Sequence, residues 1–556
     1  MKKILLLAAC LLPLAAPRAL AADFLKGKVL RMDLKSAVNE KGGSDLSLSL
    51  GGISFSSSTS LLQLERAIRK AAEDDKIAMI FLNLDHFSAG MAALEEVRDC
   101  LKDFSAAGKP VVAWAAGLDN GSYYLGSVAD RLFLYPQGGG NLTGLGSTQY
   151  FLKDLLDKLG IEVQLIRHGK YKSAGEMYIR NDISPENRRQ YEELLGSIWD
   201  GFAGEMAESR GKSPEEINAI VNGLRLSTAR SWLDEGLVDG LKYRDEMEDY
   251  IARLFGTSNP SDVKVVDMPD YIKKLSRGPK SKKIAVIYAD GEINRSGGGI
   301  VGEDLARRIE KVRGDSTVKA VVFRVNSPGG EVVAADMIRR DIELLQKDKP
   351  VIASYGSYAA SGGYLISAGC DRIFTDNATL TGSIGVFGMV PSIGKAVEKN
   401  LHVKLVQIGT NDHSGMSQGI TPLTPEEEAW YQAEIEGIYD TFVGVVSEGR
   451  GMSVEAVDEI AQGRVWSGSD ALGIGLCDEK GTILDAIDYA ADKAGLTKYR
   501  IVSYPEPKSL KDNILSVGKD DKDDAPLVRT LGNLHPGLNT MALMPYITVG
   551  NLKLDY

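Results

Sequence analysis

Two short patterns in the second half of the chain could carry nucleophilic chemistry. Ala359-Ala360-Ser361-Gly362-Gly363 sets a hydroxyl among four small residues, just beyond the apolar run Val351-Ile352-Ala353. Small neighbours let a substrate carbonyl approach the serine, and a helix starting there favours developing negative charge. Attack on a carbonyl also needs donors for the oxyanion. The backbone N–H of Gly362 is one candidate, and the turn Asn326-Ser327-Pro328-Gly329-Gly330 offers another at Gly330. Losing one such donor typically costs about 3–4 kcal/mol of transition-state stabilisation. Alone, the serine pentapeptide reads as a tight turn with a capping serine. Joined to a Pro-Gly-Gly turn one strand earlier, it reads as a site.

A serine nucleophile needs a base. Lys172, in Gly169-Lys170-Tyr171-Lys172-Ser173-Ala174, could serve only if uncharged. Its pKa would have to fall from about 10.4 towards 7–8, roughly 4 kcal/mol for three units, so the site must be apolar and enclosed. A rival base lies in the second half, where His413 and an acidic partner would complete a triad with Ser361.

These groups sit in two copies of one unit. Lys109-Pro110-Val111-Val112-Ala113 recurs as Lys349-Pro350-Val351-Ile352-Ala353, and Asp130-Arg131-Leu132-Phe133 as Asp371-Arg372-Ile373-Phe374. Ser184-Pro185-Glu186 recurs as Thr424-Pro425-Glu426 and Arg210-Gly211 as Arg450-Gly451, always at an offset of 240 or 241. Four matches in register mean a duplicated domain. The copies have diverged in a complementary way. Where the second has the Ser361 pentapeptide, the first has Leu118-Asp119-Asn120-Gly121-Ser122; where the first has Lys172, the second has Asn411-Asp412-His413-Ser414. Gly90 keeps the place of Gly330, but the preceding Phe87-Ser88-Ala89 has lost the Ser-Pro-Gly pattern.

In both copies apolar runs alternate with helical spacing, which predicts parallel sheets with crossover helices. Strands are expected at 29–32, 78–84 and 111–114, then at 283–288, 318–325 and 351–355. Helices are expected at 61–72, 91–104 and 331–346, a further helix starting at Ser361, and one long helix per copy at 190–208 and 430–448. The reading divides the chain into an export or anchor segment at 1–22, a first repeat at 23–255, a linker at 256–282, a second repeat at 283–505 and a tail or arm at 506–556.

Asn326-Ser327-Pro328-Gly329-Gly330, Ala359-Ala360-Ser361-Gly362-Gly363-Tyr364 and Leu380-Thr381-Gly382-Ser383-Ile384-Gly385-Val386 together resemble the bacterial signal peptide peptidase A family, long tandem-repeat form. Gly169 to Ala174 resembles its lysine motif, and the likeness covers most of residues 60–500. The resemblance implies two tandem α/β domains of the crotonase and Clp-protease type and a Ser–Lys serine peptidase. Ser361 would be the nucleophile, Lys172 the base and Ser383 a hydrogen-bond partner of the lysine amine. It also implies a homotetramer, associated with the outer face of the cytoplasmic membrane, that degrades remnant signal peptides. A duplicated crotonase-like unit could instead be an acyl-CoA enzyme or a scaffold without catalysis.

The remaining signals bound the setting. Lys2-Lys3, an apolar stretch at 4–16 and Ala19-Leu20-Ala21 read as an export signal, with an uncleaved anchor or lipidation at Cys10 as alternatives. Export speaks against acyl-CoA chemistry. A net charge of −11 over 556 residues argues against a nucleic-acid partner. Cys100, Cys370 and Cys477 form no framework and the five histidines no ligand pair, so neither metal nor cofactor is expected.

Overall fold

A computed structural model describes residues 24–34, 36–49, 52–505 and 541–543. The expected export segment at 1–22 and most of the expected arm at 506–556 lie outside them. Two mainly parallel sheets carry the duplication. The first runs Val265–Asp267, Lys28–Asp33, Ile77–Asn83, Val111–Asp119, Arg131–Asn141, Gly240–Leu241. The second runs Arg500–Tyr504, Lys283–Asp290, Val318–Ser327, Val351–Ala360, with Leu380–Gly382 and the antiparallel Val465–Ser467 beyond it. Helices Leu61–Glu73 and Met91–Ala106 cross over in the first repeat, and Gly302–Gly314 and Val332–Gln346 in the second. Every residue of Val351–Ala360 is buried, as a strand covered on both faces requires. The fold is α/β throughout, built twice.

The long helices are Pro185–Arg210 and Pro425–Arg450. Each starts at a capping hydroxyl followed by proline and stops at a glycine in the left-handed region, Gly211 and Gly451, both at φ +63°. The stretch expected to be a linker is structured. Val265–Asp267 is the edge strand of the first sheet, paired with Lys28–Asp33 as Arg500–Tyr504 pairs with Lys283–Asp290. Its proline and glycine content concealed the last strand of the first repeat.

A third sheet ties the repeats together. Glu162–His168 of the first lies antiparallel to Val386–Ser392 of the second over seven residue pairs. The same sheet holds Gly329–Glu331, against which the backbone of Met541–Leu543 lies antiparallel. The cores also merge, since Tyr358, Ala360, Ala378, Leu380 and Val465 pack into the apolar cluster of the first repeat.

One polar cluster is buried at this junction. Arg324 is fully enclosed and paired with Glu40 and Glu96, and it also donates to Ser354 Oγ and the Tyr355 carbonyl. Glu65, Glu95 and Asp376 lie buried nearby, Glu65 beside the Glu96 carboxyl, and no N–H reaches a side-chain oxygen of Glu65 or Asp376. Glu95 accepts from the Ala378 N–H and is approached by the Asn377 side chain, yet burial pushes its carboxyl up to about 8. Burial also raises Glu65 and Asp376. A carboxyl raised by folding stabilises the fold while protonated, and the benefit is lost as pH rises through the folded value. Stability should therefore fall as pH climbs from 5 past 8. In Glu95→Gln the fall should be shallower, with a melting temperature a few degrees above wild type at pH 9. Parallel melting curves across this range would show that Glu95 holds no proton.

Candidate functional site

Ser361 follows the last residue of Val351–Ala360 and precedes the short helix Gly362–Leu365. Its backbone takes φ +55° and ψ −117°, which is strained for a residue bearing a Cβ. The strain is held by neighbours, because Ser361 N–H donates to the Gly382 carbonyl at 2.8 Å and the Ser361 carbonyl accepts from Leu365 N–H. Gly362, first in the helix, has an N–H with no intrahelical acceptor. Gly363 allows the serine turn to sit on the preceding strand end, since a Cβ there would lie 2.5 Å from the Ser327 carbonyl oxygen. The turn at 327–330 is thus packed directly under the serine turn. Gly330 has φ +153°, and an added Cβ would meet the Ile293 carbonyl at 2.0 Å, so no other residue fits.

Lys172 arrives from the first repeat. The strand Glu162–His168 delivers its loop to the second repeat, and Arg167 holds the loop shut by donating to the Lys172 carbonyl and pairing with buried Glu176. The amine is fully buried, with Nζ 2.7 Å from Ser361 Oγ, 3.0 Å from Ser383 Oγ and 3.0 Å from the Ser383 carbonyl oxygen; as a free amine it donates to the two Ser383 acceptors and accepts from the Ser361 O–H. No carboxylate pairs with it among the described residues. Burial alone pushes the lysine well below its ordinary range, which favours the free amine. A neutral amine has a lone pair to offer, and a serine hydroxyl is the group it faces.

Ser383 also has positive φ, +51°, and its N–H donates to the Arg464 carbonyl at 2.7 Å. That carbonyl belongs to a turn at 461–464 which the sequence did not single out. Gln462 accepts from Tyr171 N–H at 2.9 Å, and Gly463 N–H donates to the Ile384 carbonyl at 2.7 Å. The turn therefore touches both the lysine loop and the Ser383 loop. Its only outward sign in the sequence is Gln462-Gly463.

His413 is elsewhere. Its side chain is 48% exposed and bonds Glu427 at 3.0 Å, and Glu427 is itself part of the cap of Pro425–Arg450. Among the described residues no contact joins His413 to Ser361, whose hydroxyl instead lies 2.7 Å from the buried Lys172 amine. Ser122 caps Asn120–Gly126 by a box with Asp119, a structural role. Cys100, Cys370 and Cys477 are buried free thiols. Among the described residues no three His, Cys, Asp or Glu side chains gather as a metal site.

The model of peptidase family S49 matches this chain twice, at residues 103–256 and 343–497. Protease 4 of Haemophilus influenzae is 36% identical over 442 residues, 76% of this chain and 71% of that protein. The chloroplastic serine protease SPPA of Arabidopsis thaliana is 33% identical over 514 residues, 88% of this chain and 73% of that protein. A solved ClpP1 mutant from Listeria monocytogenes aligns with 36% of this chain and 94% of its own, at 18% identity and a TM-score of 0.26.

The amine makes a statement about stability. Unfolded, Lys172 is protonated below about 10.4, whereas folded it stays neutral to a much lower pH, so the folded state weakens as pH falls. Lys172→Met removes that cost. Its melting temperature relative to wild type should rise steadily from pH 10 to pH 6 in calorimetry. A constant difference would mean that the lysine is ordinarily charged.

Proposed function

Because the chain belongs to peptidase family S49 and is a serine protease of the signal peptide peptidase A kind, we propose that it is an endopeptidase working through a Ser361–Lys172 dyad. Its substrates on this reading are remnant signal peptides and other unfolded apolar peptides at the cell envelope. The observation that carries the reading is the 2.7 Å contact between a fully buried amine and a fully buried hydroxyl from opposite repeats. In the reaction Ser361 Oγ attacks the peptide carbonyl as Lys172 takes its proton. The N–H groups of Gly330 and Gly362 donate to the developing oxyanion. The lysine then returns the proton to the departing amine, leaving an acyl-serine that water cleaves by the same route. Ser383 keeps the amine aimed.

An extended peptide suits this cleft. Gly329–Glu331 holds Met541–Leu543 as an antiparallel neighbour, and a substrate strand that displaces this segment can use the same ladder. We expect small apolar residues, Ala or Leu, at the cleaved bond; a peptide library cut after basic or acidic residues would contradict this.

Homotetramer formation draws support from the duplication. Glu162–His168 pairs with Val386–Ser392 inside the chain. Their counterparts, residues 402–408 and 146–152, belong to no sheet and leave Val406 73%, Ile408 91% and Tyr150 62% exposed. Pairing these edges between copies repeats the internal junction head to tail. The envelope setting, on the periplasmic face and associated with the inner membrane, rests on the export reading of residues 1–22. No described helix is long and apolar enough to cross a membrane.

Ser361→Ala and Lys172→Ala should each lower kcat/KM by at least about 1000-fold on an apolar peptide. His413→Ala should leave it unchanged. The wild-type rate should drop as falling pH protonates Lys172, whose affinity for a proton burial has lowered. A profile flat down to about pH 5 would exclude an amine base.

A further inference from the structure

Five described residues other than glycine have positive φ, and three of them are Ser361, Ser383 and Gln462. Backbone strain of this kind persists where surroundings over-determine it, and it gathers at working sites. The first two belong to the chemistry above. Gln462, at φ +54°, does not touch it. Its side chain explains how the strain is held: Nε2 donates to Asp458 Oδ1 at 2.6 Å, and Tyr439 O–H donates to the same oxygen at 2.5 Å. The Tyr439 ring in turn stacks on His168, at the end of the strand leading to Lys172, with centroids 3.6 Å apart.

The neighbouring glycine faces the lysine itself. A Cβ on Gly463 would lie 2.6 Å from Lys172 Cβ, 2.7 Å from its nitrogen and 2.8 Å from its Cα. Gly463 has φ +75°, but conformation is not what demands glycine there. The equivalent turn of the first repeat, which aligns through Arg225 with Arg464 and the helix caps Thr228 with Ser467, carries Leu224 at φ +50°. Leu224 is 76% exposed and meets no lysine loop. The same backbone thus accepts a leucine where nothing is docked and a glycine where Lys172 is.

We propose that the Gln462-Gly463 turn is a positioning element for the reaction, a gauge in the second repeat that fixes how closely the first repeat's Lys172 approaches Ser361. It holds the lysine loop through the Gln462 carbonyl and the bare face of Gly463. It holds the Ser383 loop through Gly463 N–H and the Arg464 carbonyl, so base and partner are set from one rigid piece. Neither residue meets substrate. The proposal rests on the dyad reading.

The test uses the full chain and an apolar peptide. Gly463→Ala pushes the lysine backbone away, so kcat/KM should fall about 100-fold, the loss that a displacement near 1 Å produces. The acid limb of the pH–rate profile should move to higher pH as the amine becomes less enclosed. Gln462→Ala, which removes the side-chain grip on Asp458 and Tyr439, should move the limb in the same direction with a loss of about tenfold, and it decides the matter alone if Gly463→Ala does not fold. A residue that merely supports the fold would lower the melting temperature and leave the limb in place. Folded variants with the wild-type limb, alongside an inactive Lys172→Ala, overturn this proposal and spare the dyad. Hydrolysis surviving in Lys172→Ala removes both.

Discussion

An amine kept free of charge beside a hydroxyl constrains everything around it. Water must be excluded, no carboxylate can stand close enough to bring the proton back, and the hydrogen bonds must come from neutral groups. Lys172 meets all three conditions, with two serine hydroxyls and one carbonyl as its partners and burial as the sole cause of its shift. Enclosure of that order needs backbone packed on backbone. The glycines at 330, 363, 385 and 463 supply it, each lacking a side chain where another chain segment passes within contact distance. The strained conformations of Ser361 and Ser383 belong to the same requirement, since they aim short side chains at the buried amine.

The duplication explains how such a site is assembled. Each repeat supplies a sheet edge that ends at the junction, and the third sheet crosses from one to the other through Glu162–His168 and Val386–Ser392. On the proposed dyad, two copies sharing one cleft need only a base in one and a nucleophile in the other. The corresponding positions of the other copies do structural work. Ser122 closes a capping box, and His413 pairs with a helix-cap glutamate. Gly90 now packs against Ser357 of the other repeat, where a Cβ would come within 2.5 Å of its hydroxyl oxygen. The merged cores mean that the two halves fold against each other as one body around this junction.

Much of this was legible in the sequence because it is local. Pro and Gly at fixed offsets mark the turns at 327–330 and 359–363, apolar runs mark the central strands, and Arg-Gly marks the ends of both long helices, which start at Pro185 and Pro425, earlier than the expected 190 and 430. What escaped was set by contacts between distant segments. The strand Val265–Asp267 hid in a stretch rich in turn formers, and only its match to Arg500–Tyr504 in the sheet order gives it meaning. The turn at 461–464 acts through backbone carbonyls and N–H groups, which leave no side-chain signature. Arg324 read as an ordinary strand residue, although its partners Glu40 and Glu96 lie 284 and 228 positions away.

The junction carries two buried titrating sets with opposite preferences. Lys172 resists a proton, so acid conditions press against the enclosure of the amine. Glu65, Glu95 and Asp376 retain theirs, so alkaline conditions press against the packing of Met91–Ala106 on the second repeat. Both sets sit where the repeats meet, and each is neutral in the state that keeps the meeting tight. Arg324 pairs directly with Glu40 and Glu96, and its charge on Glu65 and Asp376 is outweighed by their burial. The association of the repeats, and with it the approach of lysine to serine, is therefore strongest over a bounded range of pH. That range is fixed by desolvation on both sides rather than by any ion pair, and salt should widen or narrow it little, because screening acts weakly on groups that water does not reach.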